Sequence, residues 1–263
     1  MALAQLKILY QNHGLRGTWS ASSAVGTLPA SNLANANRQR VWRSTGITAE
    51  WIKVNLGSAK SIAALALVSS NLRASATITI KANSSDAWGS PPFSQVLTPW
   101  DASATGVLIA FLSSAQTYQW WRVDLADAGH PDGYLQVGVC ALGPVLDLLV
   151  APNDMTFELV DPSPVDYAPS GTPKVYNLSS FVELTMPYAL LTQAQAFTDV
   201  LTALRAVGRK EDGALSLFAT APSQDDLAKT TNLYGRFRDL PALAFRRDSV
   251  NRYDWSVVWR ESL

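Results

Sequence analysis

The 263-residue chain has little of what several common functions require. It contains a single cysteine, Cys140, so no internal disulfide can form. Its two histidines, His13 and His130, lie far apart with no second cysteine to complete a zinc set, and neither a metal nor a cofactor is expected. Charged residues make up only 16%, against ~25% in an average soluble protein, so many surface positions are neutral or apolar and suited to being covered. Basic and acidic residues number 21 each, which leaves no field to draw the chain to nucleic acid or an anionic membrane. Weak repulsion between copies fits a subunit better than a free monomer. The opening MALAQLKILYQNHG lacks a signal-peptide hydrophobic region, so export by a general secretory route is not expected. The longest apolar run, residues 62–68, is far shorter than the ~20 residues of a membrane helix, and a soluble chain is expected.

Catalytic and nucleotide motifs are also missing. No Gly-x-Ser-x-Gly elbow accompanies either histidine, and no Gly-x-x-x-x-Gly-Lys-Ser/Thr or Gly-x-Gly-x-x-Gly loop is present, so the chain does not read as an enzyme. Carboxylates cluster at Asp124, Asp127 and Asp132 and at Asp225 and Asp226. A glycosidase pair or a calcium site is conceivable there, but such loop clusters read first as solvated turn formers.

What is present divides into two units. Seven of the nine tryptophans precede residue 125, residues 1–150 carry 10 basic and 7 acidic side chains, and residues 151–263 carry 11 and 14. The boundary is expected near Ala151-Pro152-Asn153-Asp154, and residues 161–173, with four prolines and one glycine, read as an extended loop. In the first unit, residues 50–56 alternate Trp51, Lys53 and Asn55 against Ile52, Val54 and Leu56. Residues 76–81 and 120–125 repeat the device, residues 62–68 read as a central strand buried on both faces, and residues 134–142 as a further strand. Short strands separated by Gly, Pro, Ser and Asn imply an antiparallel sandwich or jelly roll.

In the second unit Thr192 and Gln195 form a capping box, Phe197, Val200, Leu201 and Leu204 make one apolar stripe, and Gly208 supplies the stop, which predicts a helix over 192–207. Strands are expected at 181–186, 214–219, 233–240, 243–247 and 253–260, giving a mostly β unit on whose sheet the single helix packs.

The first unit resembles the discoidin (galactose-binding-like) jelly roll from about Trp19 to Leu148. The carrying segments are Ser31-Asn32-Leu33, Arg40-Val41-Trp42-Arg43-Ser44, Trp51-Ile52-Lys53-Val54-Asn55-Leu56-Gly57, Ile62 to Val68, Ile78-Thr79-Ile80 and Trp120-Trp121-Arg122-Val123-Asp124-Leu125, with the Asn-Leu loop, the Trp-Arg-Ser step, the Trp-Ile-x-Val-x-Leu-Gly strand and the late Trp-Arg-x-x-Leu strand in the family's order. That family binds sugars, lipids, proteins or nothing recognisable. Trp42 and Trp51 read as packing residues that close the barrel ends. Trp19, Trp88 and Trp100, in loop-like sequence, are the candidates for stacking on a sugar ring or touching a partner.

The second unit is similar to the belt domain of distal tail proteins of siphovirus-like phages, on Phe181-Val182-Glu183-Leu184-Thr185-Met186-Pro187-Tyr188, the capped helix, Gly208, Leu215-Ser216-Leu217-Phe218 and a late Tyr253-Asp254-Trp255-Ser256-Val257-Val258-Trp259. The resemblance implies a structural subunit of the virion tail tip, made in the host cytoplasm. Six copies would form a ring that joins the tail tube to the baseplate hub, its fibres and the tape measure protein, with the first unit facing outward to neighbours or host-surface glycan. The strand near residues 1–12 could belong to either unit. Arg236, Arg238, Arg246, Arg247 and Arg252 are the densest basic group. They read equally as solvated strand edge or as a ring interface or lumen. A carbohydrate-binding module without catalysis is the alternative, and a glycan-degrading tail enzyme a weaker one.

Overall fold

Alternation is what places the first strands. A computed structural model describes residues 6–97, 106–148, 154–217, 231–239, 242–246 and 252–262. In chain order the front half holds β1 (Lys7–Leu9), β2 (Thr18–Ala21), β3 (Trp42–Arg43), β4 (Glu50–Val68), β5 (Thr77–Asn83) and β6 (Phe93–Leu97). It continues with β7 (Val107–Ala126), β8 (Gln136–Val137), β9 (Val139–Gly143) and β10 (Val145–Asp147). The back half holds β11 (Thr156–Val160), β12 (Val165–Tyr167), β13 (Pro173–Val175) and β14 (Phe181–Thr192), a helix ending in α1 (Leu201–Val207), then β15 (Gly213–Ser216), β16 (Leu233–Phe237), β17 (Leu243–Arg246) and β18 (Arg252–Glu261). The protein is mainly β, a jelly-roll-like sandwich followed by a second β body on which the 195–207 helix packs. Among the described residues no helix is long and apolar enough to cross a membrane.

The segments 50–56 and 62–68 are one strand, β4, and 120–125 is the end of the 20-residue β7. Register shifts between Asn55 and Lys60 and between Ile62 and Ala64 bend this antiparallel pair, and Gly57 takes φ +75° at the bend. Each long strand therefore serves two layers. The first half of β4 pairs with β2 and β7, its second half with β9 and β7, and β5 and β6 extend the wider layer. Ile52, Val54, Ile78 and Val123 from one layer meet Leu65, Leu67 and Leu142 from the other in a single core.

The continuous apolarity of 62–68 has the cause expected of it. Ile62, Leu65 and Leu67 enter the sandwich core, whereas Ala64, Ala66 and Val68 face a second cluster with Leu9, Ala141, Ala214 and Tyr234. That cluster joins the sandwich to the back body. Arg38 reinforces the junction, donating to the Ser262 carbonyl at 3.1 Å and lying 3.6 Å from Glu261, as does the Arg16–Glu211 pair at 2.6 Å.

The back body is an eight-stranded sheet ordered β10-β1-β15-β16-β18-β14-β11, with β17 also on β18. Both β1 and β10 are in it, so the chain enters the sandwich after Leu9 and returns after Gly143. The two crossings touch: a Cβ on Gly143 would collide with the Gln11 carbonyl. Buried Asn12 sits beside them and accepts from Gly14 N and Leu142 N. Residues 151–153, where the boundary was expected, lie outside the described residues.

The capping box is formed: Thr192 N donates to Gln195 Oε1 at 2.8 Å, and Gln195 N to Thr192 Oγ1 at 3.2 Å. Gly208 ends the helix with its N–H on Leu204 O. The buried stripe differs from the expected one. It is Ala196, Val200, Ala203 and Val207, and Phe197 is exposed, its ring edge-on to Tyr253 at 5.0 Å. Residues Gln195–Val200 are π-wound, and the wider turn rotates the small residues inward under Leu146 and Leu148 of the sheet.

One loop of the sandwich is locked by charge. The wholly buried Asp127 carboxylate accepts from Arg73 N at 3.1 Å, Arg73 Nε at 3.0 Å and Ser75 Oγ at 3.3 Å. Burial alone would raise its pKa, but the Arg73 hydrogen bonds and charge together hold it below the usual carboxylate range. Replacing Asp127 by alanine is expected to cost about 3 kcal/mol in urea unfolding, because Arg73 and its loop lose their common acceptor. The depressed folded value also fixes a pH dependence. The stabilisation is complete above ~4, where the unfolded carboxyl is ionised, and is lost as pH falls through the folded value. The Asp127→Ala chain should therefore show a smaller loss of stability between neutral pH and the acid range than the parent.

Candidate functional site

The outward side chains of the wide layer are neither apolar nor uniformly charged. The alternation that sends Ile52 and Val54 inward sends Trp51 and Lys53 outward on β4, and β7 does the same with Trp120, Arg122 and Asp124. Register aligns them in rows. Across β4, β7 and β5 the rows run Trp51, Asp124, Thr79, then Lys53, Arg122, Lys81, then Asn55, Trp120, Asn83. Trp88, from the turn after β5, joins the same face.

Three half-buried indoles are thereby held around two cations. Lys53 Nζ is 5.2 Å from the Trp51 ring and 5.8 Å from that of Trp120, and the Arg122 guanidinium is 4.9 Å from Trp51 and 5.8 Å from Trp88. Two carboxylates complete the set. Asp86 receives Lys53 Nζ at 2.6 Å and Trp88 Nε1 at 2.5 Å, and Asp124 receives Lys81 Nζ at 2.6 Å and Arg122 Nε at 2.5 Å. Lys53's hydrogen bond, against the opposing effect of partial burial and with help from Trp88, holds the Asp86 carboxyl below its usual range. It is therefore ionised and acceptor-only at neutral pH.

At the Trp51–Asp124 end the face deepens into a cavity of about 220 Å³ lined by Thr48, Glu50, Thr77, Thr79, Arg122 and Asp124. Glu50 is fixed there by the Ser22 hydroxyl and by Ser23 Oγ at 2.6 Å. Donors and acceptors alternate across a few ångströms beside exposed ring carbons. Hydroxyl groups, which donate and accept at once, fit such a surface. A phosphate or sulfate does not, because each cation already has its carboxylate.

The residues singled out from sequence are scattered. Trp88 is on this face. Trp19 is not: it is 8% exposed in the sandwich core and donates from Nε1 to Gly14 O at 2.8 Å, because its strand, β2, points it inward. Trp100 lies outside the described residues. Trp42 packs as expected, fully buried with Nε1 on Ser23 O, whereas Trp51 closes no barrel end and stands on the outer face. Trp51 and Trp120 were the missed pair. Their shared pattern, Trp-x-Lys and Trp-x-Arg-x-Asp on alternating strands, was the available signal.

The arginines do not form one cluster. Arg236 is paired with Asp212 at 2.7 Å, and Arg238 with Glu183 at 2.8 Å and Asp239 at 2.8 Å. Each keeps nearly half of its side chain exposed while paired, 44% for Arg236 and 43% for Arg238. Arg252, at the far end of β18, donates to the Leu190 carbonyl at 3.4 Å, and the β17–β18 register sets Arg246 opposite it. Arg247 lies outside the described residues. The carboxylates also diverge: Asp124 serves the outer face, Asp127 binds Arg73, and Asp132 bonds Asn71 Nδ2 at 3.1 Å. Among the described residues no group of three or more metal-ligating side chains converges. Asp225 and Asp226 lie outside those residues.

No protein-family profile and no curated protein sequence matches the chain. Solved structures do. Chitosan-binding module 1 of a Paenibacillus sp. IK-5 chitosanase/glucanase matches with 24% identity over 51% of this chain and 99% of the module, at a TM-score of 0.42. The family 32 carbohydrate-binding module of C. perfringens NanJ, solved with galactose, matches at 17% identity, 52% and 98% coverage and 0.40. The lectin domain of lectinolysin, solved with Lewis B antigen, matches at 14%, 50% and 95%, and 0.40.

Proposed function

We propose that the chain is a non-catalytic binding protein whose sandwich holds an oligosaccharide on the Trp51–Trp88–Trp120 face. The observation that carries this reading is the surface itself: three indoles pinned by Lys53 and Arg122, with the Asp86 and Asp124 carboxylates between them and a cavity at one end. Sugar rings offer apolar C–H faces to indoles and hydroxyls to the interleaved polar groups. The test is an oligosaccharide array probed with the full chain. It should include chitosan, galactose-bearing and Lewis B glycans, the ligands of the modules compared above. Saturable binding to at least one glycan class is expected, and a blank array at high protein concentration overturns the reading.

A second reading concerns what the sandwich is attached to. The supporting observation is that the strand, capped helix, glycine and strand on which the resemblance to distal tail proteins rests are realised as β14, the helix, Gly208 and β15 in one sheet. In this reading the back body is a self-assembling subunit of a ring of six at a phage tail tip, joining tube to hub and fibres, and the sandwich faces host-surface glycan. Light scattering should then give a mass several times 28.4 kDa.

A further inference from the structure

The rows of the indole face continue one step past Trp51, and there the side chains become small. Thr77 pairs with Ala126, and Ala49, immediately before β4, is the next outward position after Trp51. The row beyond Trp51, Asp124 and Thr79 is therefore Ala49, Ala126 and Thr77. The cavity of about 220 Å³ is this drop in side-chain size, and all three residues line it together with Glu50 and Asp124. Thr48 lines it one residue further out, and the segment leading into β4 is fixed behind it by Asp127 N on Ile47 O at 2.7 Å. A space of this size takes one sugar ring.

The face is long as well as stepped. Successive rows are two residues, ~7 Å, apart along the strands, so ~20 Å separate the Ala49 row from the row of Trp120. Trp51 stands one row from the cavity floor and Trp120 three rows from it. Lys53 and Arg122 occupy the row between the two indoles. Lys53 Nζ is 5.2 Å from one ring and 5.8 Å from the other, so both rings lean over that middle row. Apolar and polar ground thus alternate in one line that runs along β4 and β7 and ends in the cavity. Trp88, held through Nε1 by Asp86 at 2.5 Å, stands beside this line.

We infer that the ligand of this face is a linear oligosaccharide laid along β4 and β7, with one ring seated in the cavity against Trp51 and the chain continuing over Lys53 and Arg122 to a further ring on Trp120. About three to four linked rings are needed to cover ~20 Å of strand. A mono- or disaccharide fills the cavity and meets Trp51 but leaves Trp120 unused. A compact branched glycan cannot follow the line at all. The inference deepens the glycan reading and rests on it, adding the length and course of the ligand, and it is independent of the self-assembly reading.

Calorimetric titration of the full chain with purified linear oligomers tests it, using glucosamine, N-acetylglucosamine and galactose series of one to six units. For at least one series, affinity should rise about tenfold between the disaccharide and the tetrasaccharide, the gain from one further stacking indole, and stay level beyond that. Trp120→Ala should lose this gain, its di- and tetrasaccharide affinities falling within threefold of each other. Ala49→Trp, which fills the cavity from an exposed position, should weaken binding at every length the parent binds. Neither side chain belongs to the sandwich core, so circular dichroism of both variants should match the parent. The length series of the parent needs no variant and decides the matter if either fails to fold. Affinity that does not change with length, a Trp120→Ala chain that keeps the full gain, or an Ala49→Trp chain that binds like the parent overturns the inference and leaves the glycan reading standing. So does a chain that scores on the oligosaccharide array and binds none of the oligomers. A blank array defeats both.

Discussion

A Trp51→Ala/Trp120→Ala chain is expected to lose about 100-fold in glycan affinity while remaining folded. Each indole contributes an apolar stacking surface whose removal is worth about 1.4 kcal/mol, a factor of ten, so the pair amounts to about 100-fold, and because both rings flank Lys53 the two single variants measured beside the double one read the coupling between them. Neither side chain is in the sandwich core, which is built from Ile52, Val54, Trp121, Val123 and their neighbours. The double variant should therefore melt close to the parent. Trp42→Ala makes the opposite control. That indole is wholly buried and holds Ser23 O, so its loss lowers stability before it touches binding. The measurement is calorimetric titration with the strongest array ligand. An affinity within threefold of the parent would remove both indoles from the binding surface.

The second large effect is on stability. Gly143→Ala should lower the melting midpoint by roughly 10 °C, because about 3 kcal/mol of overpacking at this chain length moves it by 2–4 °C per kcal/mol. Gly143 lies where the strand returning from the sandwich passes the entering segment, and a methyl there meets the Gln11 carbonyl, a backbone atom that cannot swing aside. Relief requires the two crossings to part, which opens the Leu9, Ala64, Ala141 and Tyr234 cluster between the bodies. Gly26→Ala is the control: nothing lies within 4 Å of its added carbon, and the midpoint should not move. Scanning calorimetry of the three chains decides the matter, and equal midpoints for Gly143→Ala and the parent would mean that the crossing yields freely.

The sandwich was legible because its strands keep strict period two, and Ile52, Val54 and Val123 went inward as their alternation required. The double burial of 62–68 was legible for the same reason, since unbroken apolarity needs a neighbour on each face. What alternation cannot carry is register between distant strands. Nothing in the chain says that Lys53 meets Arg122, 69 positions later, so the indole face was invisible, and Trp51, set by alternation against Ile52 and Val54, still read as a barrel-end packing residue. Trp19 misled because a short strand beside a loop reads as loop. The helix stripe was displaced because a π-wound start changes the period that the reading assumed. Residues 161–173 read as an extended loop because of their four prolines, and pairing between β12 and β13 is a contact that such punctuation does not reveal.

The most direct test of the glycan assignment is oxidative footprinting of the tryptophans, read by mass spectrometry with and without a saturating array ligand. Trp51, Trp88 and Trp120 are half-buried and Trp19, Trp42, Trp121, Trp255 and Trp259 are buried, so the chain carries its own reporters and controls. The account predicts that ligand suppresses oxidation at Trp51, Trp88 and Trp120 and leaves the buried five unchanged. Saturating ligand with undiminished oxidation at all three would contradict it.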